Sequence, residues 1–246
     1  MSRSVSPRIL KFFVLAGGLL GLLLRFTLLQ TGMDDQGLLV TGHWADTASW
    51  LLTAATIGVV FLYTRKCTGQ NAYDTAFPAS ALRAAGSLIA ACGFLLSGTP
   101  VTTAVRLAQA EPVLRILAAA ALVAVAYCRF RGRKPSLLLH GTVCLYLALR
   151  MVCRYQIWSA DPQLQHYAFY LGAHVALMLS CYQLAAFDAD SGNHRSLWSW
   201  SLGAAYLCLA AVPGSEDPFF LLSGAVWMLT CPGCLASAEE IGRAHV

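Results

Sequence analysis

An all-α architecture, a polytopic transmembrane bundle of about eight helices, is expected from three features of the chain. First, 57% of its 246 residues are hydrophobic and only 12% are charged, with a mean hydropathy of +0.60, so there are too few charges to cover a soluble surface. Second, the apolar residues fall in runs close to the about 20 residues that a helix needs to cross a bilayer. Third, the basic residues fall in alternate connections between those runs, as the positive-inside rule demands of a multi-pass protein. Each run must be a helix, because an isolated strand cannot satisfy its backbone in lipid.

The first run, Leu10–Leu29, carries one arginine, Arg25, and breaks at Thr31-Gly32 into an acidic turn with Asp34, Asp35 and Asp46. It is too long, and too soon followed by another run, for a cleaved signal peptide. The remaining runs are Thr47–Tyr63, Ser80–Ser97, Val113–Cys128, Ser136–Cys153, Gln165–Phe187, Leu197–Val212 and Pro218–Leu235. Several are near the short limit, and seven spans is the alternative count. Arg3, Arg8 and Lys11, then Arg65, Lys66 and Arg83, then Arg129, Arg131, Arg133 and Lys134 all fall on one side. The opposite connections hold Asp34, Asp35 and Asp46; Arg106, Glu111 and Arg115; Arg154 and Asp161; and Glu216 and Asp217. Both termini are therefore expected in the cytoplasm, in a bacterial inner membrane. The Arg129–Lys134 run reads as a topology anchor, with an anionic-lipid site as the sharper alternative.

The net charge of +5 is dispersed beside the apolar runs, which excludes a nucleic-acid surface and leaves the lipid bilayer as the implied partner. Nine cysteines lie mostly singly within apolar runs, where they act as small hydrophobic side chains rather than a disulfide framework. Residues 241–246, Ile-Gly-Arg-Ala-His-Val, resemble the translation of a sequencing-library adapter, so they are expected to be non-native, with the natural chain continuing beyond, and are left out of fold reasoning.

Self-similarity points to a parallel repeat of four helices, residues 1–134 and 135–240. Leu22-Leu23-Leu24-Arg25 matches Leu147-Ala148-Leu149-Arg150, Ala72-Tyr73-Asp74 matches Ala186-Phe187-Asp188, and Ser80–Pro100 resembles Leu197–Pro213 in small residues and an exit proline. Chance likeness among apolar helices is the competing explanation. The stretch Tyr155–Gln163, with Ala185–Ala189 after it, resembles an uncharacterised family of small polytopic membrane proteins from anaerobic gut bacteria. That resemblance implies the same fold class and brings no activity with it.

No group of residues has the spacing of a catalytic site, and no cofactor is implied. Arg25 and Arg150 stand out, because an ionisable residue in a span marks either a function or a paired interior contact. Each sits about one turn below the boundary, so each could snorkel, or pair with Asp34, Asp46 or Asp161. If both turn inward they frame an outer vestibule for a small-molecule ligand, with Arg25, Asp34, Asp46, Arg150, Asp161 and His166 as its binding residues. His140 and His174 could ligate a haem on facing helices, but their depths differ, and interior hydrogen bonding is the plainer role. His43, Asp46, Asp161, His166, Glu216 and Asp217 are of metal-ligand type without a metal-site spacing. Cys231-Pro232-Gly233-Cys234 is a lone CxxC better read as a helix end.

Two classes of function remain: a small transporter or ligand-binding membrane protein, and a sensor or assembly component that acts through a partner. Polar residues converging on a cavity favour the first. A packed interior with an exposed apolar groove favours the second.

Overall fold

The computed structural model describes residues 7–33, 39–40, 42–66, 73–98, 105–158 and 167–232. In them the chain forms α1 (Pro7–Thr31), α2 (Trp44–Lys66), the single turn α3 (Tyr73–Ala76), α4 (Ala81–Leu96), α5 (Val105–Arg131), α6 (Leu137–Trp158), α7 (Ala168–Asp188), α8 (His194–Ala211) and α9 (Pro218–Thr230). Contacts between the connections show that the helices alternate in direction. Ser80 N–H donates to Arg129 O and Lys134 bonds Asp190 at one end, here the basic end; Gly98 N–H donates to Asp217 and Arg154 bonds Glu216 at the other.

Among the described residues five helices are long and apolar enough to cross a membrane: α1, α2, α5, α6 and α7, with α4 and α9 as shorter apolar helices. The distribution of side chains inverts that of a soluble domain. Phe12, Leu62, Leu96 and Leu138 are 61–76% exposed, while Arg150, His140 and Ser201 are fully buried. Such an apolar exterior is stable only against lipid or a partner surface.

Two packed groups meet at α8. In one, α4 lies against α5 and α9, α5 against α6, and α6 against α7. In the other, the α1–α2 hairpin packs on α8, which also contacts α7 and α9. Small residues bring these helices together, as is usual in membranes where apolar contact alone gives no drive. A Cβ at Gly17 or Gly21 of α1 would touch Thr56 or Tyr206 at 3.3 Å. Gly86 and Gly93 of α4 let α9 approach so closely that a Cβ there would overlap Thr230 and Ser223. Polar bonds stitch α2 to α8, with Thr53 Oγ1 2.9 Å from Tyr206 Oη and Thr64 Oγ1 2.7 Å from Ser199 Oγ.

Some expected boundaries move. Helix α5 begins at Val105 rather than Val113 and runs through Pro112, whose ring a helix accepts only at the loss of one backbone bond. Arg106, Glu111 and Arg115 are therefore helical, not residues of a solvated connection. Helix α6 extends to Trp158 and carries Arg154 with it, and α9 stops at Thr230, two residues before Pro232. The packing lends the four-helix repeat no support. Matching the halves in order pairs α2 with α7 and α4 with α8, yet α7 packs closely on α8 while α2 packs on α1 and α8 and not appreciably on α4.

Candidate functional site

The densest polar cluster lies at the end opposite the basic one, where α5, α6, α7, α9 and the exit of α4 converge. Its centre is Arg150. Glu111 and Arg115 are one turn apart on α5, as Arg150 and Arg154 are on α6, so each helix presents two ionic groups on one face. Asp217 is the N-cap of α9 and Pro218 is its first residue, a natural helix start. The Asp217 carboxylate does not cap its own helix; it reaches across to neighbouring helices instead.

Arg150 is fully buried, and its guanidinium is held from three sides. Nη1 donates to Glu111 Oε1 at 3.1 Å, to Tyr146 Oη at 3.1 Å and to Gly98 O at 3.3 Å, and Nη2 donates to Asp217 Oδ2 at 2.6 Å. The Phe220 ring lies 4.8 Å from its central carbon. Arg154 donates to both Glu216 and Asp217, and Gly98 N–H donates to Asp217 Oδ1 at 2.9 Å. Arg115 donates to Ser97 O, the carbonyl left open at the C-cap of α4. Two guanidiniums thus meet three carboxylates, and a third meets a helix-end carbonyl. Matching is required here, since an unpaired charge at such depth costs at least about 2.5 kcal/mol. His174 sits beneath, stacked between Phe220 at 4.9 Å and Tyr170 at 4.4 Å, with its Nδ1 donating to Tyr170 O at 3.1 Å.

Arg25 also turns inward. It is 4% exposed, lies over the Phe169 ring at 4.5 Å, and has Asp46 as a carboxylate acting on its charge. Arg25, Arg154, Tyr167, Tyr170 and Glu216 line a void of about 10 Å³, room for about one water. The space beside Arg25 is thus water-sized. Arg25 is in its wall, with Arg154 rather than Arg150 as the facing arginine. Arg150 points into the bundle as expected, and among the described residues its carboxylate partners are Glu111 and Asp217. Asp34, Asp161 and His166 lie outside the described residues. His43 closes the start of α2, its Nδ1 accepting from Ala45 N–H at 3.3 Å.

Sequence reasoning passed over Glu111, Arg154, Asp217, Tyr146 and Tyr170 as centres of the site. The signal was present: two ionic pairs at four-residue spacing, on the same side as Glu216-Asp217. It was lost because the ends of two helices were set too far inward.

A smaller polar group lies at the basic end. His140 Nδ1 and Asp188 Oδ2, both fully buried side chains, are 2.5 Å apart, and Cys181 Sγ donates to His140 O. His140 and His174 thus serve different ends of the bundle and do not face one another. Arg129 is buried on the Phe77 ring at 3.8 Å and donates to Tyr73 Oη, whose hydroxyl is pushed up to about 12 by burial, with Arg129 opposing the shift. Lys134 is bound to Asp190 and Arg131 lies over the Tyr127 ring at 5.8 Å, so Arg129, Arg131 and Lys134 of the Arg129–Lys134 run are engaged by the protein. No family model, curated protein or solved structure matches the chain.

Proposed function

We propose that this is a multi-pass protein of a bacterial cytoplasmic membrane, with both ends inside, that works by binding at its lipid-facing surface rather than by carrying a solute through its interior. One observation carries this reading: at the depth where a ligand site was expected, the arginines are matched by the protein's own carboxylates and carbonyls, and the remaining void is water-sized. A pathway or ligand pocket needs polar groups that face open space. The orientation is supported by Arg8, Lys11, Arg65, Arg83, Arg131, Arg133 and Arg195 at one end. The bacterial setting rests on the likeness of Tyr155–Gln163 to small polytopic proteins of gut bacteria.

A second reading, a binding protein for a small carboxylate, is favoured by one feature. Glu216 is 64% exposed while it occupies the buried Arg154, so an incoming carboxylate could take its place. Labelling separates the two. With every other cysteine replaced, native Cys153 should resist a membrane-impermeant maleimide from both faces of the membrane, because its side chain is fully buried beside the network. Arg131→Cys should be labelled only from the cytoplasmic face. Rapid labelling of Cys153 in folded protein would show an open interior and support the second reading; labelling of Arg131→Cys from outside intact cells would reverse the orientation.

A further inference from the structure

A groove of about 500 Å³ runs between α2 and α8 with Ala176 of α7 at its back, far from the Arg150 network. Its two ends differ in chemistry. Towards the middle of the bundle it is walled by Ile57, Val60, Gly203 and Leu207. At the basic end it is lined by Arg65, Asn193, Arg195 and Ser196, with the Thr64–Ser199 hydrogen bond marking the change from apolar to polar. Among the described residues no carboxylate lines it. In the adjoining turn Asp188 is engaged with His140 and Asp190 with Lys134. Arg65 lies over the Phe61 ring at 4.5 Å, which holds its guanidinium at the mouth.

Gly203 supplies the depth. A Cβ built there meets nothing within 4 Å, so the trough continues over a bare stretch of α8. Its length is set by the helices. Arg65 to Ile57 spans about 12 Å, and Arg195 to Leu207 about 18 Å, at the α-helical rise. Half of a bilayer's hydrocarbon core is about 15 Å. The groove therefore reaches from the headgroup level of one leaflet to the midplane, with two guanidiniums at its polar end, and basic pockets between helices on the cytoplasmic side suit anionic headgroups.

We infer that this groove binds one anionic phospholipid of the inner leaflet, its phosphate between Arg65 and Arg195 and one acyl chain laid along Gly203 and Leu207. The inference rests on the membrane placement proposed above and not on the closed interior, so labelled Cys153 would leave it standing.

The test is native mass spectrometry of the full chain released from nanodiscs made with equal phosphatidylglycerol and phosphatidylcholine. The wild type should retain phosphatidylglycerol over phosphatidylcholine by about thirtyfold, the scale expected of two basic side chains at a lipid surface. Arg65→Gln/Arg195→Gln should abolish the preference. Both residues are exposed, so the fold should survive. Gly203→Phe should lower retention of either lipid by filling the trough. Arg131→Gln/Arg133→Gln removes the same charge at the same end and should change nothing. Equal retention of the two lipids by the wild type would overturn the proposal. So would an Arg131/Arg133 variant as damaging as the Arg65/Arg195 one, which would reduce the preference to bulk charge. A wild type that emerges as a lipid-free dimer would assign the groove to a second copy instead.

Discussion

Arg150 is the side chain whose loss the bundle should feel most. Replacing it with leucine leaves Glu111 buried without its cation and Asp217 with Arg154 alone, and breaking one partner from a buried ion pair typically costs about 3–5 kcal/mol. Arg150→Leu should therefore unfold in detergent at a much lower temperature than wild type, read by the loss of a monodisperse chromatographic peak. Glu216→Gln should cost less than about 1 kcal/mol, because its carboxylate is mostly exposed and solvent screens the bond to Arg154. Equal stability of wild type and Arg150→Leu would mean that the network is not what holds this end together. Arg150 could be singled out from its composition alone, as an arginine in an apolar run. Its partners could not, because ion pairing depends on which helices become neighbours, and hydropathy carries no record of that.

Helix α4 illustrates how much a single element reveals before folding. Its small residues mark it as a close-packing helix, and a close approach is what the structure shows. That the partner would be α9, more than a hundred residues later, is written nowhere in α4 itself. Gly93→Ala is the sharpest probe of this contact. The new methyl would meet Ser223, whose Oγ can rotate away but whose Cβ cannot, and also the backbone Phe219 O at 3.1 Å. Overpacking of this kind usually costs about 1–3 kcal/mol, so thermal stability should fall, with the loss relieved in part by Ser223→Gly. A variant as stable as wild type would show that α4 and α9 can separate freely. Helix α5 teaches the reverse lesson. Its first two turns contain Arg106, Glu111 and Pro112, all signals against a span, yet it is helical because Glu111 finds Arg150 across the interface.

At the scale of the full bundle, alternating direction and an apolar exterior follow directly from run lengths and charge placement. Neighbour relations do not. Matching motifs between the halves point to a parallel four-helix repeat, which the structure does not show: α8 packs against four other helices and α2 against two. Repeated local patterns arise whenever apolar helices are punctuated by arginine, small residues and proline; only interfaces distinguish a duplication from convergence. The central place of α8 also bears on how the protein is made. The α1–α2 hairpin emerges from the ribosome first, yet its extensive partner outside itself is α8, complete only at Ala211. For most of synthesis the hairpin must wait in the bilayer with the faces of Gly17, Gly21 and Thr53 unmatched, exposed to chaperones and membrane proteases. Residues 1–66 and 73–246 expressed as separate chains should therefore reassemble and co-purify, whereas residues 1–66 made with a fragment ending at residue 192 should be degraded; persistence of that hairpin without α8 would show that it is stable alone.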